Sequence, residues 1–269
     1  MTDINNILIH DNGNDSSGAV ASDLRKLLKN EGYNIVDEYG TETDLIVCIG
    51  GDGTFLRMLR SLDFPSAPIV GFHTGHLGFF QEFLPSETKE FVSLLKNGKY
   101  SVQEHRPIYA KITSSDKEAV NLKAINDISV KGPRSTLTHL NLSLRDCFIE
   151  HFSGDGLLVS SPAGSTAYNY SLKGCIVDPR IEMMQITPIA PMNTKVFRSF
   201  TSSILVPKDE VIQITMDADF TKSGVVVADG AEHEFKEIDE IRIGACDETI
   251  RLIRRFDYSF WNTVKSKFF

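Results

Sequence analysis

The stretch Gly50-Gly51-Asp52-Gly53-Thr54 places one carboxylate in a glycine turn, between the apolar run 45–49 and residues 55–60, whose apolar positions have helical spacing. Glycines let the backbone come close to a ligand, and free amides at a new helix N-terminus favour an anion such as phosphate. A carboxylate among those amides would repel bound phosphate unless it holds a cation or takes up a proton. Asp52 is therefore the first catalytic candidate, a proton acceptor or orienting group for a hydroxyl. The plainer reading is a tight strand-to-helix turn in which Asp52 only caps the helix. Two familiar phosphate loops do not fit: Leu56 stands where a dinucleotide fingerprint needs a third Gly or Ala, and no Gly-Lys pair precedes a Ser or Thr as in a P-loop.

A second acid between glycines occurs in Gly154-Asp155-Gly156, which runs into a strand at 157–160 and then into Ser161-Pro162-Ala163-Gly164-Ser165-Thr166-Ala167-Tyr168. Small residues there spell a turn followed by a helix. Ser165 or Thr166 can cap it, leaving hydroxyls and amides for an adenine, sugar or phosphate, and Tyr168 offers a ring face for stacking. A β-turn with a helix cap is the plain alternative. His73 and His76 have the spacing of a ligand pair, but no second pair accompanies them and a loop role fits better.

These residues need elements to hold them. Residues 7–10 read as a strand, 13–18 as a polar glycine-rich loop, and Ala19, Val20, Leu24, Leu27 and Leu28 recur at helical spacing until Gly32. Further strands are expected at 33–36, 45–49 and 68–72, and a capped amphipathic helix at 86–97. Strands alternating with helices argue for a parallel sheet, whose ligand site lies at the carboxyl ends of its strands, where the Asp52 turn falls. Beyond about residue 100, period-two runs at 108–112, 124–130 and 140–144 begin a series of strands with little helix, continued at 157–160, 185–189, 203–206, 211–216, 225–228 and 241–243. The fold class is thus an α/β N-terminal domain with a parallel sheet plus a mainly β, sandwich-like C-terminal domain. Its boundaries are 1–100 for the first domain, joined by a returning aromatic-rich segment 255–269, and 101–254 for the second.

At 269 residues the chain is long enough for two modest domains, and 24% charged with 41% hydrophobic residues suits a globular protein. A net charge of -8 argues against general nucleic-acid binding. No apolar stretch approaches membrane-spanning length, and the first residues lack the basic start and apolar core of a signal peptide, so a cytoplasmic location is expected. Cys48, Cys147, Cys175 and Cys246 are widely separated, and three lie among apolar or small residues, as buried thiols in a reducing compartment would.

The Asp52 turn resembles the Gly-Gly-Asp-Gly-Thr signature shared by NAD kinases, diacylglycerol and sphingosine kinases and, with Ser for Thr, phosphofructokinases. The second block resembles NAD kinases specifically, whose Gly-Asp-Gly is followed by Thr-Pro-Thr-Gly-Ser-Thr-Ala-Tyr. Asn126-Asp127 stands where that family has Asn-Glu, and Ala228-Asp229-Gly230 resembles its Asp-Gly strand end. The resemblance is to the bacterial type that uses ATP or polyphosphate. It implies phosphoryl transfer from such a donor to the 2′-hydroxyl of the adenosine ribose of NAD, with Mg²⁺ or another divalent metal, in a cleft between the domains of a homotetramer. It further implies that Asp52 lies beside the acceptor hydroxyl and that Asn126 and Asp127 hold sugar hydroxyls or nearby polar groups. Asp155, Thr166, Ala167 and Tyr168 then help hold NAD, while Gly51, Gly53, Thr54, Phe79 and Ala190 join the nucleotide contacts. Asp127 is a methylene shorter than the usual Glu, Ser161 and Ala163 replace two threonines, and Lys173 replaces a glycine and reads as a surface residue. A lipid kinase would share only the first turn, and a non-catalytic dinucleotide sensor would not need Asp52.

Overall fold

The computed structural model describes residues 4–75, 78–145, 147–195, 198–217 and 220–269, and of Ser135 the backbone alone. The chain divides into two compact units, residues 1–105 with 249–269, and residues 106–248.

The first unit opens with β1 (Asn6–Asp11), α1 (Asp15–Asn30), β2 (Asn34–Val36), β3 (Leu45–Ile49), α2 (Asp52–Ser61), β4 (Ile69–Phe72), α3 (Thr88–Lys96) and β5 (Ser101–His105). β3 is buried at every position, as a central parallel strand covered on both faces must be, and this is why it reads as an unbroken apolar run. α1 starts inside the segment expected to be loop, because the Asn14 side chain caps it by accepting the Ser17 N–H at 2.9 Å.

The second unit contains β6 (Ile108–Ser114), β7 (Val120–Ala124), β8 (Asp127–Lys131), β9 (Thr138–Leu144), β10 (Cys147–Gly154), β11 (Gly156–Ser160), α4 (Tyr168–Ser171), β12 (Met183–Ile189), β13 (Ile204–Pro207), β14 (Ile212–Met216), β15 (Gly224–Ala228), β16 (Ala231–Phe235) and β17 (Ile238–Ala245). They form two six-stranded sheets, β10-β9-β14-β17-β6-β7 and β13-β12-β11-β8-β15-β16. Ile112, Leu142, Ile214 and Ile243 of one sheet share a core with Val130, Val159, Ile186 and Val226 of the other, which makes the unit a β-sandwich. The run 124–130 is not one strand. It breaks at Ile125-Asn126, where the chain leaves one sheet and enters the other.

The chain returns to the first unit with β18 (Ile250–Arg254) and α5 (Phe260–Phe268). Its sheet order is β2-β1-β3-β4-β18-β5, parallel except for β5, which pairs antiparallel with β18. Residues 101–105 and 250–254 therefore complete the first sheet, whereas the change of texture near residue 100 had assigned them to the β domain. The alternating burial of β5 is that of an edge strand on a sheet with a single covered face there. All four cysteines are free, but only Cys48 and Cys246 are buried; Cys147 and Cys175 are exposed despite their small or apolar neighbours.

Candidate active site

Asp52 is the first residue of α2 and does not cap it. The cap position belongs to Gly51, whose carbonyl accepts from Thr54 and Phe55 at 2.9 and 3.1 Å. The Asp52 carboxylate points instead to a loop far along the chain, where Oδ2 accepts the Phe79 N–H at 3.1 Å and Oδ1 the Phe80 N–H at 3.2 Å. A charged acceptor bridging two backbone donors is held in one orientation. Gly78 makes that approach possible, since a Cβ there would stand 2.0 Å from Asp52 Oδ1. Beside it Thr54 is buried, and its hydroxyl accepts from the exposed Arg57 at 3.2 Å. Gly51 and Gly53 complete the turn at the carboxyl end of β3, and the first amides of α2 have no intrahelical partner by helix geometry.

The loop that grips Asp52 is itself clamped by Arg254, at the end of β18. This guanidinium is 1% exposed and donates to the Phe79 carbonyl at 2.6 Å, to Gln103 Oε1 at 2.8 Å and to Glu82 Oε2 at 3.1 Å, while lying 4.1 Å from the Tyr258 ring centre. Burial pushes the Glu82 carboxyl above its ordinary range, and Arg254 opposes the shift. The Phe79 ring is taken up by the C-terminal helix, 6.0 Å from the rings of both Phe260 and Phe268. Phe79 thus acts on the site through its backbone. Gly78 and Arg254 were not picked out by sequence reasoning, although Gly78 stands directly before Phe79, which was. His73 is buried with Nδ1 against the Gly75 carbonyl at 3.0 Å, and His76 lies outside the described residues.

In the second unit, Asn126 and Asp127 sit at the sheet-switching corner. The Asp229 carboxylate organises this corner, accepting the N–H groups of Ile125 and Asn126 at 2.8 Å each and of Asp127 at 3.3 Å. The Asn126 carbonyl accepts the Ser161 N–H at 2.9 Å, and Gly164 passes so close that a Cβ on it would stand 2.0 Å from the Asn126 oxygen. Asn126, Asp127, Gly164 and Asp229 are thereby one cluster. Ser165 and Thr166 do not cap the next helix. The Ser165 hydroxyl accepts from the Val177 N–H at 3.0 Å, Thr166 Oγ1 donates back to the Ala163 carbonyl at 3.4 Å, and Ala167 occupies the cap position of a helix only four residues long. Tyr168 remains exposed, with Lys131 Nζ 4.8 Å from its ring centre.

Burial pushes the Asp127 carboxyl up to about 7, the neighbouring Asp229 charge adds to the rise, and Lys131 opposes it. A carboxyl raised in the folded state costs no stability below its unfolded value; the cost grows as pH climbs toward 7 and levels off above it. Asp127→Asn is expected to melt several degrees above the parent at pH 8 and level with it near pH 4, a gain on the order of a few kcal/mol. Thermal melts across that range check this, and a difference independent of pH would contradict it.

Asp155 and Ala190 form a separate pair. The Asp155 N–H donates to the Ile189 carbonyl at 2.9 Å, and Ala190, at φ 44°, holds a left-handed turn against Gly154. Gly156 and Ser160 are opposite ends of β11, paired with Lys131 and Asp127 respectively, so Asp155 lies roughly 14 Å along the strand from the Asn126 cluster. Lys173 is exposed at φ 64°, a left-handed position that suits the glycine it replaces.

A largely parallel α/β sheet carrying a glycine turn with a non-capping acid is thus joined in one chain to a β-sandwich with its own glycine-flanked acid. Residues 7–100 match the ATP-NAD kinase N-terminal domain and residues 125–255 the ATP-NAD kinase C-terminal domain. The chain is 35% identical to the NAD kinase of Finegoldia magna over 97% of both chains, and 33% identical to NAD kinase 1 of Bacillus cereus over 95% of this chain and 96% of that one. It belongs to the NAD kinase family. Its fold also matches solved structures of yeast NADH kinase complexed with NADH (21% identity, TM-score 0.86, 99% of this chain and 88% of that one) and of an Archaeoglobus fulgidus NAD kinase in complex with ATP (22% identity, TM-score 0.76, 97% and 99%).

Proposed function

We propose that this chain transfers the terminal phosphoryl group of ATP to the 2′-hydroxyl of the adenosine ribose of NAD, giving NADP. The observation that carries this reading is the Asp52 carboxylate, freed from capping and fixed by the Phe79 and Phe80 amides at the turn where phosphate is favoured. An acid so placed serves best by taking or orienting the proton of an acceptor hydroxyl. Gly51, Gly53 and Thr54 supply the turn around it. In the second unit, Asn126 and Asp127 are the groups proposed for ribose hydroxyls, Thr166, Ala167 and Tyr168 for the rest of the dinucleotide, and Asp155 with Ala190 for a further contact.

A divalent metal fits this donor set. Mg²⁺ in phosphoryl transfer is carried mainly by the substrate phosphates and asks for no cluster of protein ligands, and among the described residues none of three or more His, Cys, Asp or Glu is present. When bound, the ion neutralises phosphate charge. Among the described residues no helix is long and apolar enough to cross a membrane. A cytoplasmic location and a homotetrameric assembly, with inorganic polyphosphate as a second donor, complete the proposal.

A coupled assay tests it. NADP is expected to form with Mg²⁺ or Mn²⁺ and ATP or polyphosphate, lipid acceptors are expected to be inert, and light scattering on the same preparation is expected to give four times the 30.0 kDa chain mass. Rates no higher than the no-enzyme control across all donors and metals would sink the activity, and a monomer at micromolar concentration would sink the assembly.

A further inference from the structure

Gln81 follows directly on the two residues that grip Asp52, is 3% exposed, and among the described residues neither its side-chain oxygen nor its nitrogen has a hydrogen-bond partner. A buried amide in that state costs free energy comparable to losing the bonds it made in water. The chain nevertheless makes room for it. A Cβ on Gly71 would stand 2.7 Å from Gln81 Cα, and one on Gly78 would stand 1.9 Å from Gln81 Oε1. The same point on Gly78 is 2.0 Å from Asp52 Oδ1, so the Gln81 and Asp52 oxygens are at most about 3.9 Å apart. Two acceptors facing each other at that range repel. Turning the carboxamide over about its terminal bond exchanges oxygen and nitrogen with almost no change of shape and sets an N–H donor against the carboxylate.

We propose that Gln81 is a positioning residue for Asp52, its side-chain amide donating to the carboxylate beside the backbone N–H groups of Phe79 and Phe80. An ionised carboxylate has about four acceptor directions. With three taken by fixed donors, its orientation is settled and one direction is left for the proton of a hydroxyl. Gln81 is too buried to touch a substrate, so it acts through Asp52 alone. The kinetic part of this inference rests on the reading of the chain as an NAD kinase.

The test pairs kinetics with a signal that does not depend on turnover. Gln81→Met keeps the length, buries an apolar group where the amide sat, and removes the donor. Its kcat is expected to fall about tenfold, with KM for NAD and ATP within about twofold, as for an interaction that matters mainly in the transition state. In protein labelled with ¹⁵N-glutamine, one Gln81 side-chain amide proton is expected downfield and protected from exchange, and Asp52→Asn is expected to move that resonance. An ordinary Gln81 amide signal indifferent to Asp52→Asn would overturn the proposal, as would an unchanged kcat in Gln81→Met. A wild-type protein that makes no NADP would instead overturn the functional reading and leave the amide resonance to decide on Gln81. Should Gln81→Met not fold, the resonance in wild type and Asp52→Asn still decides.

Discussion

Asp52→Asn is expected to lower turnover by roughly 10²–10⁴-fold at saturating NAD and Mg²⁺, while NAD affinity measured by calorimetry changes little. The substitution keeps the size of the side chain and removes its charge. Had Asp52 capped α2, asparagine would cap it about as well and activity would survive. The structure removes that escape, because Gly51 holds the cap position and the Asp52 oxygens face the Phe79 and Phe80 N–H groups. An asparagine there can accept only one of the two bonds and turns an NH₂ toward the other donor, so the loop is loosened while the helix is untouched. Near-wild-type turnover in the variant would remove Asp52 as the proton acceptor. Loss that excess Mg²⁺ largely restores would mark it as a metal anchor.

What the sequence could show of this site follows from which constraints are local. β3 was legible because a strand buried on both faces is apolar throughout, and the glycine turn after it was legible because a carboxylate among amides is out of place in a plain turn. The second block was legible for the same reason, but only its later part meets the Asn126 corner, through Ser161 and Gly164, while Asp155 lies beyond the far end of β11. The corner itself was not. Alternation runs straight through 124–130, and what breaks the strand is the Asp229 carboxylate, more than a hundred residues away, taking three consecutive backbone N–H groups. Asp229 reaches them from the two-residue Asp229-Gly230 hairpin between β15 and β16, both at positive φ, and that dipeptide marks a turn without saying which strand the carboxylate will meet.

The sheet's return was hidden in a similar way. Residues 101–105 alternate like the β domain because an edge strand of any sheet alternates, and only their pairing with 250–254 reveals which sheet they close. Arg254 then reads as one more charge in a basic segment. Its burial against Phe79, Gln103 and Glu82 is a tertiary fact. Breaking such a buried charge network by removing one partner is costly, so part of the site's rigidity is stored in a strand from the far end of the chain.

Gly78→Ala is the sharper probe of how the acid is held, because it changes no group that could bind substrate or move a proton. Gly78 does not occupy the left-handed region, so alanine is compatible with its backbone. The nearest atoms to the new methyl carbon all belong to side-chain ends, Gln81 Oε1 at 1.9 Å, Asp52 Oδ1 at 2.0 Å and Asp52 Cγ at 2.5 Å. Both ends can swing away, which spares the fold, but the carboxylate must then leave at least one of its two backbone donors. A displacement of about 1 Å at a reacting group is worth on the order of 10²-fold in rate. Turnover is expected to fall by about that factor while NAD affinity and the far-UV spectrum stay as in the parent. Adding Gln81→Ala relieves the collision with the amide but not the one with Asp52, so the double variant is expected to remain slow. Full activity in Gly78→Ala would mean that the two backbone N–H groups do not set the orientation in which Asp52 works. Recovery in the double variant would instead shift the whole effect onto Gln81.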